Sequence, residues 1–337
     1  MPVTPASSAQ PLPGAGQLRQ RLLARQQPVI IGVAGDSGSG KTTYTQGIEW
    51  LLGNALVSQI SLDGYHSEDR ATRRKSGRSP LDPDSNRLHE AADHLATLSR
   101  GEAALIPVYD HATGRFAESR WHEPTPVILV EGLHTLYPAL RPLLDACVYV
   151  DTDISIKHDW KAARDTRDRG YDPTEVAEEI ARRAAQHDEW IAIQQDAADV
   201  ILRIQPSRLE SLARGRLDLD DPPECQHLEV IVQPRHGDQP ALYFPVDLNN
   251  MTRESAMPFM LATVPSHFRG RTVNVLHVDG YMPPAALATL EQEICAFAGV
   301  EPPSGTASAA ADRRPTIRFA QMLVAWPILA HIASLEH

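Results

Sequence analysis

Between residues 35 and 43 the chain reads Gly35-Asp36-Ser37-Gly38-Ser39-Gly40-Lys41-Thr42-Thr43, the pattern G-x-x-x-x-G-K-[ST]. Its chemistry works only where a strand ends and a helix begins. The flanks supply both. Residues 29–34 (VIIGVA) are the near-continuous apolar run of a strand buried on both faces, and residues 41–52 carry a helical pattern that stops at Gly53. Glycines let backbone N–H groups wrap phosphate oxygens at positive φ, and the helix N-terminus adds partial positive charge. In this pattern Lys41 reaches the β- and γ-phosphates and the Thr42 hydroxyl binds Mg²⁺. With glycine at about 7% of residues, a chance match somewhere in such a chain has odds of roughly one in a hundred. Every residue from Gly35 to Thr43 is therefore a candidate ligand of a nucleoside triphosphate.

The alternation continues downstream. Residues 56–62, 126–130, 147–150 and 200–204 read as strands, with helices expected over 88–99, 156–169 and 173–195. This predicts an α/β fold, a mostly parallel sheet flanked by helices. After Pro206 short runs at 227–232, 241–246, 259–264 and 273–278 follow closely, predicting an antiparallel extension of the sheet. Helices are expected over 284–297 and 317–333, separated by a flexible linker at 301–314 (EPPSGTASAAADRR). The predicted organisation is a core at 29–206 and a C-terminal extension at 207–337. Residues 1–28 lack Asp and Glu, carry Arg19, Arg21 and Arg25, and hold four prolines in their first thirteen positions. They read as a flexible tail, with one short helix within 17–26, or as an organelle-transit segment. Leu335-Glu336-His337 resembles the stub of a purification tag.

Composition removes several classes. In 337 residues, 32 Lys+Arg against 43 Asp+Glu give a net charge of −11, which argues against a dedicated nucleic-acid binder. No uninterrupted apolar run reaches the ~18 residues of a membrane-spanning helix, so no membrane partner is expected. Cys147, Cys225 and Cys295 lie far apart without a C-x-x-C pair. Neither a disulfide framework nor a zinc site is expected from them, and they fit a reducing cytoplasm.

The carboxyl ends of core strands are where ligands sit in such sheets. After the second strand comes Ser61-Leu62-Asp63-Gly64-Tyr65-His66-Ser67-Glu68-Asp69-Arg70. Asp63 can take a proton from an attacking hydroxyl, while His66 and Arg70 can hold a polar or phosphorylated acceptor. The strand at 126–130 runs into Glu131-Gly132-Leu133-His134, and Glu131 fits the acid that supports Mg²⁺ beside the phosphates. Lys161, Arg164, Asp165 and Arg169 largely share one helix face. By pattern alone that set reads as a solvated, ion-paired face rather than a site.

The order and spacing of VIIGVAGDSGSGKTT, SLDGYHSEDR, PLDPDSN, IPVYDHATG, VILVEGLHTLY and KAARDTRDRG resemble phosphoribulokinase of the cyanobacterial and plant type, within the phosphoribulokinase/uridine kinase group of P-loop kinases. The late segment VLHVDGYMPPAALATLEQEI is similar to that family as well. The resemblance implies a P-loop kinase core and phosphorylation by ATP, with Mg²⁺, of D-ribulose 5-phosphate at its C1 hydroxyl, in a cytoplasmic homodimer. It further implies Asp63 as general base, and His66, Arg70, Arg169 and Arg183 as substrate-binding residues. Lys41, Lys161, Arg164 and Asp165 join Asp63 as implied catalytic residues, and Thr42 with Glu131 as metal ligands.

Several positions depart from that pattern. Ser39 and Ser61 stand at or near places where plant-type enzymes carry regulatory cysteines, so thiol switching of that kind is not expected. Gly64 replaces a second Asp common in relatives, and residues 184–187 and Ile193 lack the usual Lys-Pro and Pro. Two alternatives stay open: a sibling kinase acting on uridine or another sugar phosphate, and a P-loop protein that binds ATP without catalysis. Joint presence of Arg70 and Arg169 favours a phosphorylated acceptor, and intact Lys41, Thr42, Asp63 and Glu131 favour an enzyme.

Overall fold

The computed structural model describes residues 18–157, 160, 184–209, 226–232, 259–268, 270–280, 284–300 and 315–335. Its centre is strand β1 (Val29–Gly35), buried at all seven positions as its unbroken apolar run requires. β1 pairs in parallel with β5 (Val127–Gly132) on one side and β6 (Ala146–Thr152) on the other. Beyond β5 lies β2 (Val57–Ser61), and beyond β6 lies β7 (Val200–Pro206), both parallel to their neighbours. The sheet does not break after Pro206. β7 pairs antiparallel with β8 (Gln226–Val232), which pairs with β10 (Arg271–Gly280), which pairs with β9 (Phe259–Phe268). The result is one eight-stranded sheet ordered β2-β5-β1-β6-β7-β8-β10-β9.

Apolar layers cover both faces. On one, helix α2 (Lys41–Leu52) contributes Tyr44, Ile48 and Leu51. They share a core with Phe319 and Leu323 of the C-terminal helix α6 (Pro315–Ser334) and with Ile31, Val33 and Val148 of the sheet. Gln321 Nε2 donates to the Thr43 carbonyl at 2.6 Å, and Gly47 of α2 lacks a side chain where Gln321 packs. By length and composition α6 could cross a membrane, but 72% of its 317–334 window is buried within the protein. Helix α5 (Pro284–Ala298) completes this layer through Leu287, Leu290 and Ile294. Each fully buried side chain of this size contributes about 1.5–3 kcal/mol. Opposite, α4 (Leu88–Ser99) contributes Ala91, Leu95 and Leu98, joined by Leu62, Tyr65 and Leu140.

The α2 and α4 bounds coincide with the expected ones, and eight expected strands are present with ends moved by up to four residues. Within the stretch expected as a tail, α1 (Leu18–Ala24) buries Leu18 and Leu22, while Arg21 donates to the Ala333 carbonyl at 2.6 Å. A short helix and a hairpin had no sequence expectation. Helix α3 (Arg70–Ser76) starts on Asp69, whose carboxylate accepts from the Thr72 amide. The hairpin of β3 (Ala104–Asp110) and β4 (Arg115–His122) stands apart from the main sheet, and β4 is exposed along nearly its whole length. Where the helix over 173–195 was expected, 187–191 form a π-turn and 192–197 a 3₁₀ turn. The strand at 241–246, the linker 301–314, most of 156–169 and the first half of 173–195 lie outside the described residues.

Candidate active site

The phosphate loop closes as its sequence demands. Gly38 and Gly40 sit at φ 79° and 85°, the left-handed region that favours glycine. At Gly40 a side chain would also press on the Tyr44 ring. Lys41 Nζ donates to the carbonyls of Gly35 (3.0 Å) and Asp36 (2.8 Å), so its charge is held inside the loop. Thr152, at the end of β6, donates to the Ser39 carbonyl at 2.8 Å and ties the loop to the sheet. Asp36 accepts from Lys157 at 3.0 Å and from the Ser37 amide at 2.6 Å. Burial works to raise its pKa; the Lys157 charge and hydrogen bond, with His187 and Ser37, outweigh that and lower it. Beside the loop a cleft of about 340 Å³ runs between Asp36, Ser37, the β6 end at Asp151 and Thr152, Lys157 and His187.

At the adjacent strand ends the Thr42 hydroxyl donates to Glu131 Oε2 and Oε1 at 2.8 and 3.0 Å. Parallel pairing of β1 with β5 brings them together, since the helix after β1 starts level with the end of β5. A hydroxyl and a carboxylate facing one another are hard oxygen donors, the chemistry Mg²⁺ prefers. The residues present therefore fit that ion.

Asp63 lies in the 3₁₀ turn 62–65 that follows β2. Two histidines flank its carboxylate: His111 Nε2 stands 3.0 Å from Oδ2, and His66 Nε2 stands 3.7 Å from Oδ1. Burial is the largest influence on Asp63 and would raise its pKa. The His111 hydrogen bond and the charges of His66, His111 and Lys41 more than cancel it and hold the carboxyl far below the usual range. His66 is itself oriented by Asn86, whose Oδ1 lies 2.7 Å from Nδ1. Asn86 is fixed in turn by donating to the carbonyls of Pro80 and Asp82. Thus the PLDPDSN segment serves to aim a histidine at Asp63. Deeper in, His134 faces the Leu81 carbonyl at 2.7 Å, and burial pushes its pKa down to about 4.

Gly64 has a local reason. Any side chain there would overlap the Pro107 carbonyl of β3, so the hairpin occupies the space a second acid would need. Arg70 does not reach Asp63. It lies across Gly114 in the hairpin turn and donates to the His111 carbonyl at 2.6 Å, holding the residue that touches Asp63. Arg73 donates to Tyr109 Oη at 3.2 Å on the same hairpin.

The structure brings Lys41, Thr42, Asp63, His66 and Glu131 to one edge of the sheet, with Arg70 one residue removed. Lys161, Arg164, Asp165, Arg169 and Arg183 lie outside the described residues. His111, Asn86 and Lys157 were not singled out from sequence. His111 and Asn86 sit inside the segments IPVYDHATG and PLDPDSN, but a lone His or Asn carries no chemistry until the fold supplies its partner.

Comparison with known proteins agrees with this geometry. The model of the phosphoribulokinase/uridine kinase family matches residues 30–211. Phosphoribulokinase of Synechocystis is 33% identical over 263 residues, covering 75% of this chain and 76% of that one. The chloroplastic phosphoribulokinase of Triticum aestivum is 32% identical, covering 55% of this chain and 50% of its own length. Among solved structures, phosphoribulokinase from Rhodobacter spheroides superposes with a TM-score of 0.54 at 17% identity, covering 92% of this chain and 100% of that one. That likeness speaks to the fold; the sequence matches speak to descent. This chain belongs to the phosphoribulokinase/uridine kinase family of P-loop kinases.

Proposed function

We propose that the protein is a phosphoribulokinase, transferring the γ-phosphoryl group of ATP to the C1 hydroxyl of D-ribulose 5-phosphate to give ribulose 1,5-bisphosphate. The observation that carries this reading is Asp63, a carboxylate between two histidines on the same strand-end edge as the phosphate loop and the Thr42–Glu131 pair. A carboxylate held this far below its usual pKa is ionised throughout the neutral range. It accepts a hydrogen bond from the attacking hydroxyl and orients it in line with the γ-phosphorus. Phosphoryl transfer passes through a loose transition state that asks mainly for positioning and charge stabilisation, so a weak base suffices. The hydroxyl proton passes to Asp63 as the new P–O bond forms and the bond to the β-phosphate oxygen breaks.

In this reading the loop amides and Lys41 hold the phosphates. Thr42 and Glu131 would hold Mg²⁺, which neutralises developing phosphate charge when bound. Arg169, with Arg70 and Arg183, would engage the sugar phosphate; Lys161, Arg164 and Asp165 would complete the catalytic set. Homodimeric assembly and a cytoplasmic setting belong to the same proposal. The family also contains uridine kinases, so the acceptor is the point to test. Ribulose 5-phosphate, ribose 5-phosphate and uridine would be offered side by side with ATP and Mg²⁺. Preference for ribulose 5-phosphate by a factor of about 100 or more in kcat/KM is expected. Comparable or better turnover of uridine would overturn the substrate assignment.

A further inference from the structure

Three strands away from the phosphate loop, the sheet extension carries a second concentration of titratable groups. β8 reads His227-Leu228-Glu229 and β10 reads His277-Val278-Asp279. Side chains alternate between the two faces of a strand, so 227 and 229 share a face, as do 277 and 279. The antiparallel register sets His277 opposite Glu229 and Asp279 opposite His227, which places all four on one face. Leu228 and Val278 between them point to the other face and join the core there. Toward the far end of the strands the polar face turns apolar, at Ile231, Val273 and Val275. The quartet, flanked by Arg203 and Gln205 of β7, is thus the polar end of a layer whose far end is apolar.

Its geometry is that of a ligand set. His227 Nε2, His277 Nδ1 and Glu229 Oε1 are 3.2, 3.7 and 3.8 Å from one another. Around a tetrahedral ion bonded at about 2.0–2.1 Å, neighbouring ligand atoms stand about 3.3–3.4 Å apart. The three atoms therefore enclose a position that one small ion reaches with shifts of a few tenths of an ångström.

The groups behind them are the second observation. His227 Nδ1 lies 3.1 Å from Asp279 Oδ2, and the Asp279 side chain is fully buried. Asp279 is anchored in turn by the Ser207 hydroxyl and by the Arg208 amide at 2.9 Å. With Nδ1 turned to the Asp279 carboxylate, Nε2 is the ring atom that faces His277 and Glu229. This carboxylate–histidine arrangement is the usual support of a metal-bound imidazole. Glu229 is likewise oriented from behind: its Oε2 faces Arg203 at 3.9 Å while Oε1 faces the histidines. The His227 side chain is 2% exposed, Glu229 14% and His277 24%, so an ion enters past His277 and keeps a solvent-facing fourth position.

We propose that His227, Glu229 and His277 form a binding site for one first-row divalent metal ion, zinc foremost, which clamps β8 to β10, with Asp279 as its positioning residue. Two imidazoles and one carboxylate with an open position suit Zn²⁺ and Co²⁺ rather than the hard, oxygen-loving Mg²⁺ of the phosphate site. The three scattered cysteines gave no reason to expect such a site; the paired H-x-E and H-x-D strands, once placed side by side, do. Arg203 also stands 3.8 Å from Asp151 Oδ2, and Asp151 lines the cleft beside the phosphate loop, so the clamp is one side chain away from that cleft.

The test is titration of the full chain, free of any purification tag, with Co²⁺ and then Zn²⁺ at neutral pH. One Co²⁺ per chain is expected, with the intense visible bands of tetrahedral cobalt, displaced by Zn²⁺. His277→Ala and the shape-conserving Glu229→Gln are expected to abolish those bands with the circular dichroism of the fold unchanged. Asp279→Asn is expected to keep their form but weaken binding by about 10–100-fold. Failure of the wild-type chain to take up either ion would reduce the cluster to a hydrogen-bonded pair and overturn the proposal. So would uptake that survives both His277→Ala and Glu229→Gln. Should either variant fail to fold, X-ray absorption of the zinc-loaded wild type decides: a shell of two imidazoles and one carboxylate supports the site, and a sulfur shell overturns it.

Discussion

Two regions along the same edge of the sheet each pair histidine with aspartate, in opposite order. At the end of β2 the carboxylate of Asp63 is the outward group, 28% exposed, and His66 and His111 stand around it as supports. At the end of β10 the carboxylate of Asp279 is fully buried and His227 stands in front of it, facing His277 and Glu229. In the two roles proposed above, the group in front is the one that meets proton or metal, and the group behind it sets its direction. An aspartate in front, with its pKa lowered, is an ionised acceptor for a hydroxyl proton. An imidazole in front, with Nδ1 held from behind, offers Nε2 to the metal proposed above. The difference comes from the local chain: a 3₁₀ turn lifts Asp63 off the strand end, whereas Asp279 stays in the strand ladder against Ser207 and Arg208.

This contrast can be broken in steps. Asp63→Asn keeps the shape and removes the acceptor; kcat should fall by about 10²–10⁴-fold, with KM for ATP changed by less than about twofold. Steady-state kinetics with varied ATP measures both, and near-normal turnover would take the base role from Asp63. A smaller effect concerns His134, a buried histidine whose ring faces the Leu81 carbonyl. Its pKa moves from an unfolded value near 6.5 down to about 4 because burial disfavours its charged form. Between those values the unfolded chain binds the extra proton and the folded chain does not. Stability from this group is therefore full above pH 6.5 and declines as pH falls toward 4, by at most about 3 kcal/mol. His134→Asn, which can still donate to the Leu81 carbonyl, should flatten that slope in urea titrations at pH 7 and 4.5. An unchanged slope would show that other groups set it. Least of all, His111→Ala removes one charge-assisted hydrogen bond from Asp63. Turnover should drop about tenfold and the acid limb of the pH profile of kcat/KM should move upward. A limb that stays in place would mean that His66 and Lys41 alone lower Asp63.

Much of the fold was legible because its signals are local. The run 29–34 must be buried on both faces, the glycines of 35–40 must turn, and Lys41–Leu52 has a clean helical period that ends at Gly53; the structure shows each of these. The hairpin of β3 and β4 was not legible, because β4 reads RFAESRWH and faces solvent, without the alternation of a half-buried strand. α3 was hidden too, since its residues RATRRKS bury nothing. α1 depends on a distant partner: its own seven residues cannot sustain a helix, and Leu18, Leu22 and the Arg21 contact to Ala333 hold it.

The sequence by itself determined the strand–loop–helix unit, the glycines and lysine of its loop, and Asp63 and Glu131 as acids at strand ends. These follow from spacing along one segment, where a few dihedral angles and side-chain types suffice. Only the tertiary structure decided what surrounds them. The hairpin brings His111 to Asp63 from 48 positions away in sequence and fills the space beside Gly64. The 3₁₀ turn at 83–85 aims Asn86 at His66. Antiparallel pairing sets His277 against Glu229 across 48 residues, so that two ordinary strands make one cluster. Such meetings depend on which strands become neighbours. That is settled by burial of the whole apolar sheet, not by any residue within a few positions of the site.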